Sequence, residues 1–313
     1  MEPIKSIVQK VAPWGNATID KLITEALAIE EDSAKKAGAL GFMARAMVQT
    51  TLPHSRVEGN EFTRSNGHFT MSMLAPSAIG LPYGNIPRLL LAWITTEAVR
   101  RKERDIPLGD NLSDFMRQLD LVPTGGRWGT ITRLREQTER LFASSISCRY
   151  QADGGRVGGG FMLADKYSLW WNPRLPTQRS LFESKIHLSE TFFNEIIDRP
   201  VPVDMRALKA LKRSPLALDI YCWLTYRMSY LDRRAEIPWP LLQLQFGSDY
   251  ADNGEGRRNF KKKFLLQLRK VKAIYREAKL EDQEHALILL PSKPHIPKEP
   301  TGSPKALRPK PRA

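Results

Sequence analysis

Apolar residues recur along this chain with two periods, near 3.6 and near 2, and the switches between them mark its expected elements. Over residues 17–49, Leu22, Ile23, Ala26, Leu27 and Ile29 oppose Glu25, Glu30, Glu31, Lys35 and Lys36, and Gly38 and Gly41 divide the stretch into two short helices. His68–Leu74 alternates instead, placing Phe69, Met71 and Met73 on one face of a strand. After a loop at Leu81–Pro87, a helix is expected from Pro87, a residue suited to a first helical turn, to about Glu103. Asp110 or Asn111 can cap the next helix, along which Leu112, Phe115, Met116 and Leu119 share a face. A third helix runs from Trp128 to Phe142. Two strand-like runs follow, Ile146–Tyr150 and Phe161–Trp171, joined by the glycine-rich Gly154–Gly160. Three helices and a hairpin in this order predict a winged-helix unit with that hairpin as its wing.

The second half repeats the plan. Pro215 opens a helix through Tyr221, Trp223 and Leu231, and Pro238–Gly247 gives a short helix closed by glycine. A loop at Ser248–Glu255 leads to a long helix from about Gly256 to Ala278 and then to a strand at Ala286–Leu290. The halves align at an offset of 130 or 131: Trp93-Ile-Thr95 with Trp223-Leu-Thr225, and Ile106-Pro107 with Ile237-Pro238. Arg133-Leu134, Gln137 and Leu141 likewise match Lys263-Phe264, Gln267 and Val271. The expected fold is α+β, mostly α, with two tandem winged-helix domains related by internal duplication. The expected boundaries are a helical arm at 1–50, a first domain at 51–180, a second domain at 181–290, and a tail at 291–313. The tail holds seven prolines and six Lys or Arg with one Glu, a composition expected to stay disordered.

Composition changes the picture through charge. The 313 residues are 42% hydrophobic, enough for a core in each half, but 48 Lys and Arg outnumber 34 Asp and Glu and leave a net charge of +14. Such a chain attracts polyanions, nucleic acid first among them. The two cysteines, Cys148 and Cys222, show no zinc or disulfide spacing. No signal-peptide core and no run of about eighteen apolar residues is present, so a cytoplasmic protein without a membrane partner is expected.

The positive charge concentrates in Gly256–Lys279, with ten Lys or Arg and one acid, Glu277. On a helical wheel Phe260, Phe264, Leu268, Val271, Ile274 and Tyr275 form one face, and Arg258, Lys262, Arg269 and Arg276 lie nearly opposite, with Asn259 near the N-terminal end. A solvated helix face mixes signs at i, i+4; this one does not. An apolar face that docks the helix and a basic face that enters the major groove are the needs of a recognition helix. Arg258 and Asn259 are the expected base readers, since Arg pairs with guanine and Asn with adenine, and Arg257 and Lys261 join the expected DNA contacts. In the first half, Arg127, Arg133, Gln137 and Arg140 are expected to face DNA more weakly, diluted by Glu136 and Glu139.

Catalytic patterns are missing. Gly154–Gly160 lacks the Lys-Ser/Thr ending of a phosphate loop and reads as a hairpin tip. His54, His68, His187, His285 and His295 are scattered, without the paired spacing of a metal-dependent nickase, and Asp204 before Met205–Leu211 reads as a helix cap. No enzyme activity, metal or other cofactor is expected.

Several stretches resemble the plasmid-encoded RepA-type replication initiators, over about Leu40 to Ile296. They are Leu81-Pro-Tyr-Gly-Asn-Ile-Pro-Arg-Leu-Leu-Leu-Ala-Trp93 with Thr96-Glu-Ala98, Pro202-Val-Asp204, Ser214-Pro-Leu-Ala-Leu-Asp-Ile-Tyr-Cys-Trp-Leu-Thr-Tyr-Arg227, Trp239-Pro-Leu-Leu-Gln-Leu-Gln-Phe-Gly247 and Asn259-Phe-Lys-Lys-Lys-Phe264. The resemblance implies binding to repeated double-stranded origin sequences (iterons), melting of an adjacent AT-rich segment, and loading of the host replicative helicase beside the host initiator. It also implies a possible homodimer and control of plasmid copy number through the chain's own promoter. The alternative class is a winged-helix transcriptional repressor acting at that promoter.

Overall fold

The computed structural model describes residues 33–152, 155–247 and 250–297, together with Ala26 and Ile29. Most of the helix expected over 17–32, the hairpin tip at 153–154 and the tail beyond 297 lie outside the described residues. Ala26 and Ile29 are themselves buried.

The expected helix at 33–49 is corrected. Gly38, at φ +63°, ends a short turn, and strand β1 (Leu40–Met43) follows, then helix α1 (Arg45–Gln49). Gly41 lies so close to Met205 that a Cβ there would fall 2.4 Å from its sulfur, so this glycine serves close approach rather than helix breaking. Strands β2 (Glu61–Ser65) and β3 (Phe69–Leu74) form a hairpin whose Met71 and Met73 are buried, as the alternation predicts. Helix α2 (Asn85–Arg101), strand β4 (Asp105–Pro107), α3 (Leu112–Gln118) and α4 (Thr130–Phe142) follow in order. Asn111 caps α3 by accepting from the Asp114 N–H at 2.9 Å.

The hairpin expected to act as the first wing goes elsewhere. Strand β5 (Ser145–Ala152) pairs with β3 and with β6 (Gly155–Met162) in a four-stranded sheet of order β2-β3-β5-β6. The glycines Gly155 and Gly158 to Gly160 are therefore strand residues, not only a tip. Ile146 of β5 is buried opposite Met73 of β3, so the pairing buries an apolar residue from each strand. Strands β7 (Ala164–Ser168) and β8 (Lys185–Leu188), separated by residues 169–184, pair beside β4 in the order β4-β8-β7.

Helix α5 (Glu190–Asp198), capped by Ser189, leads through β9 (Val201–Asp204) to α6 (Met205–Leu211), and β9 pairs with β1. Asp204 caps α6 through the Arg206 N–H at 2.8 Å, the role its position suggests. Then come α7 (Pro215–Met228), β10 (Ala235–Pro238), α8 (Trp239–Phe246), α9 (Gly254–Ile274), β11 (Lys279–Asp282) and β12 (Ala286–Leu290). Ser214 caps α7 with Pro215 in its first turn. The last three strands form a sheet of order β10-β12-β11. Both halves thus share helix, strand, helix, helix and a closing strand pair whose last strand sits between the other two, but the first half inserts β5 and β6 before that pair.

The halves share one continuous core. Helix α2 packs on α4, α7 on α9, and α2 on α7. At that last contact Arg88, 4% exposed, grips Asp219 with two hydrogen bonds of 2.7 Å, and His54 Nε2 lies 2.7 Å from the same carboxylate. Burial alone would raise the Asp219 pKa; the Arg88 charge and the bonds from His54 and Arg88 hold it below its usual value instead. Arg88 also donates to the carbonyls of Leu52, Pro53 and Gly84, so its charge is saturated with partners.

The first seven residues of the expected disordered tail are ordered. The His295 ring lies 4.8 Å from that of Tyr275, His295 Nδ1 is 2.9 Å from the Tyr221 hydroxyl, and Ile296 is buried. Burial of these few side chains outweighs the proline-rich composition that predicts disorder.

Candidate nucleic-acid interface

Helix α9 is held by its seam. Phe260, Phe264, Leu268, Val271 and Ile274 are all buried, and Phe264 stacks edge-on with Phe246 and Trp239 at 5.4 and 5.7 Å. Each such side chain contributes about 1.5–3 kcal/mol by leaving water, so packing rather than propensity fixes the helix. Its start is set by Asn253, whose side chain accepts from Gly256 at 2.7 Å, and Gly256 has no room for a Cβ, which would fall 2.0 Å from the Ala251 carbonyl.

The face opposite the seam is exposed and basic, with Arg258, Lys262 and Arg269 in solvent and Asn259 beside them; Arg257 and Lys263 are exposed as well, outside that face. The only acid in the helix is Glu255, in its first turn, where it suits the helix dipole. Arg258, Asn259, Lys262 and Arg269 therefore share the face expected of them. Lys263 lies toward one flank of that face.

Two expected contacts, Lys261 and Arg276, are placed otherwise, and a third, Arg257, is exposed but paired. Lys261 lies 4.8 Å over the Trp239 ring, pairs with Asp282 at 3.0 Å and donates to the Gln283 carbonyl at 2.7 Å, so it ties α9 to the β11–β12 hairpin. That hairpin carries Glu281, Asp282 and Glu284, a sign unsuited to phosphate. Arg276 falls beyond the helix, because Tyr275 leaves helical geometry at ψ 75° and Lys272 bonds the carbonyl of Arg276 at 3.0 Å; the wheel does not extend to it. Arg257 pairs with Asp252 at 2.7 Å but remains exposed.

The first half presents less. On α4, Arg133 and Arg135 are exposed among Glu136 and Glu139, and Arg133 is 3.4 Å from the Asn85 side-chain oxygen. Gln137 is corrected: it is 4% exposed, and its side-chain oxygen accepts from the Tyr83 N–H at 2.8 Å. Arg140 donates to the Leu81 carbonyl at 3.2 Å and lies 5.6 Å over the Tyr83 ring. Both residues hold the Leu81–Tyr83 loop, and Gln267, the counterpart of Gln137 at the repeat offset, is buried too. The repeated glutamine is therefore a packing feature. Arg127 is exposed ahead of α4, its guanidinium 5.2 Å over the ring of Trp128.

Among the described residues, no group of three His, Cys, Asp or Glu is placed to hold a metal ion, and no helix is long and apolar enough to cross a membrane.

Two solved structures of domains 2 and 3 of RctB are similar to this chain. One has a TM-score of 0.50 at 11% identity, covering 80% of this chain and 99% of that one. The other, of RctB residues 155–483, has a TM-score of 0.46 at 11% identity, covering 79% and 96%. At this identity the first bears on the fold alone. No curated protein matches the sequence. A family model described as plasmid encoded RepA protein matches residues 81–239, from the Leu81–Trp93 motif to the start of α8. The match ends before α9, so the reading of that helix rests on its own geometry. Spanning half of the sequence, the match places this chain in the plasmid-encoded RepA-type family of replication initiators.

Proposed function

We propose that this initiator binds repeated double-stranded origin sequences through two winged-helix units related by duplication, and that the second unit dominates; the boundary expected at 180 moves past β8, whose pairing with β4 and β7 puts it in the first unit. The observation that carries this reading is the face of α9, where Arg258, Asn259, Lys262, Lys263 and Arg269 stand exposed over a buried aromatic seam. The shared order of helix, strand, helix, helix and closing strand pair, interrupted in the first half by β5 and β6, with the last strand central in each small sheet, supports two units of one design. In each, the last helix precedes the hairpin and is the element that would enter the major groove. Binding then serves melting of adjacent AT-rich DNA and recruitment of the host initiator and helicase, with no covalent chemistry by this chain.

Footprinting the protein on the origin of its own plasmid tests the reading. Protection of tandem direct repeats of about two helical turns each is expected. Protection confined to one palindrome at its own promoter would replace initiation with repression. A nick formed in the supercoiled origin with magnesium or manganese would overturn the non-enzymatic reading.

A further inference from the structure

We propose that Trp128 is the base-reading tip of the first unit, its ring packed against the methyl group of a thymine in the major groove. The inference rests on the DNA-binding reading above and adds a ligand to the half that shows the weaker charge. Trp128 is 81% exposed, yet it stands on a tightly built turn. The Thr124 and Thr130 hydroxyls each accept the other residue's backbone N–H at 2.9 Å, Thr130 donates to the Val122 carbonyl at 2.5 Å, and Thr132 to that of Gly126 at 2.9 Å. Gly126 sits at φ +87°, and a Cβ on Gly129 would fall 2.2 Å from the Thr124 carbonyl. Trp128 is the most exposed Phe, Tyr or Trp ring among the described residues, held in water by a turn whose own hydrogen bonds do not involve it, where it forgoes the stabilisation of burial.

Position supplies the second argument. At the repeat offset of 130, Arg127 and Trp128 fall on Arg257 and Arg258, an exposed pair in the first turns of α9, although Trp128 itself stands just ahead of Gly129, the cap of α4. The residue that would read a base edge in the second unit is therefore replaced in the first by a flat apolar ring with an arginine over it. The one apolar group that base pairs offer in the major groove is the thymine methyl, and the indole suits it as the Arg258 guanidinium suits guanine. Arg127 then reaches the flanking phosphate.

The test uses the full-length protein and one origin repeat in which each thymine is replaced in turn by deoxyuridine, which removes only the methyl. One such replacement, in the part of the repeat covered by the first unit, is expected to weaken binding roughly fourfold, the value of one buried methyl group. Trp128→Ala should lose a similar factor on the natural repeat and become indifferent to that replacement, while Trp128→Phe keeps the sensitivity. Because Trp128 is exposed, unchanged thermal melting is expected for both variants. A deoxyuridine profile identical in wild type and Trp128→Ala overturns the assignment. So does a Trp128→Ala loss confined to single-stranded DNA, which would make the ring a stacking platform. Absence of specific binding by the wild-type protein would instead defeat the function proposed above.

Discussion

Helices α4 and α9 occupy matching places in their halves and have come to carry different faces. Both bury a seam, Ile131, Leu134, Thr138, Leu141 and Phe142 in one and Phe260, Phe264, Leu268, Val271 and Ile274 in the other. Outside that seam α9 presents cations with a single acid at its N-terminal turn. Helix α4 alternates Arg133 and Arg135 with Glu136 and Glu139 and commits Gln137 and Arg140 to its own framework. The shared buried pattern preserves the fold; the solvent face is where the two diverge in charge, and hence in their expected hold on DNA.

The sharpest way to break the comparison is to remove each charged face in the intact chain. Arg258→Ala, Lys262→Ala and Arg269→Ala together should flatten the log-log salt dependence of binding by close to three units, since each phosphate contact contributes about 0.9. Affinity should fall more than about a hundredfold at physiological salt. Arg127→Ala, Arg133→Ala and Arg135→Ala together should cost less than about tenfold. Equal losses would end the distinction between the heads.

The second test concerns the frame that holds the heads together. Arg88→Met leaves the Asp219 carboxylate buried and should cost about 3–5 kcal/mol of stability, whereas Arg88→Met with Asp219→Leu should recover much of it. The low Asp219 pKa gives the sign of the pH effect: its contribution is present above about pH 3.9, the unfolded value, and is lost as pH falls below that through the folded value. Thermal melting across pH reads both. A Arg88→Met protein as stable as wild type would mean the halves do not depend on this contact.

Smaller effects sharpen the map of α9. Lys262→Ala should flatten the salt slope by about one unit and Lys261→Ala by much less, because Lys261 is already engaged with Asp282 and Trp239. Lys270, half-buried on α9, is lowered to about 8 by burial and by Lys263, so between pH 7 and 9 its charge leaves the positive field of that helix and DNA affinity should fall. Lys270→Met should blunt that fall; an undiminished pH dependence would place the titrating group elsewhere.

Much of this was legible in the residues. Ser214-Pro215 marks the start of α7, Asp204 the cap of α6, and the spacing of Phe260, Phe264, Leu268 and Val271 the seam of α9. What the sequence hid was set by distant partners. Nothing local says that β5 leaves its helix to pair with β3, or that the hairpin beside β4 spans residues 169–184. Gln137, Arg140 and Lys261 read as surface groups because their partners, Tyr83, Leu81 and Asp282, come from other elements. The wheel placed Arg276 on the stripe because it could not show the helix ending at Ile274.

The central claim, that α9 and α4 lie in major grooves of one repeat, is most directly tested by tethered cleavage. Lys263→Cys and Arg135→Cys, each carrying an iron chelate, place a cutting group on the exposed face of one helix. The natural thiols are poor competitors, since burial raises the pKa of both, Cys148 to about 11. The two tethers are expected to cut the repeat at two sites about one helical turn, roughly 10 base pairs, apart on one face of the duplex. Cuts from Arg135→Cys alone, or none from Lys263→Cys, would contradict the account.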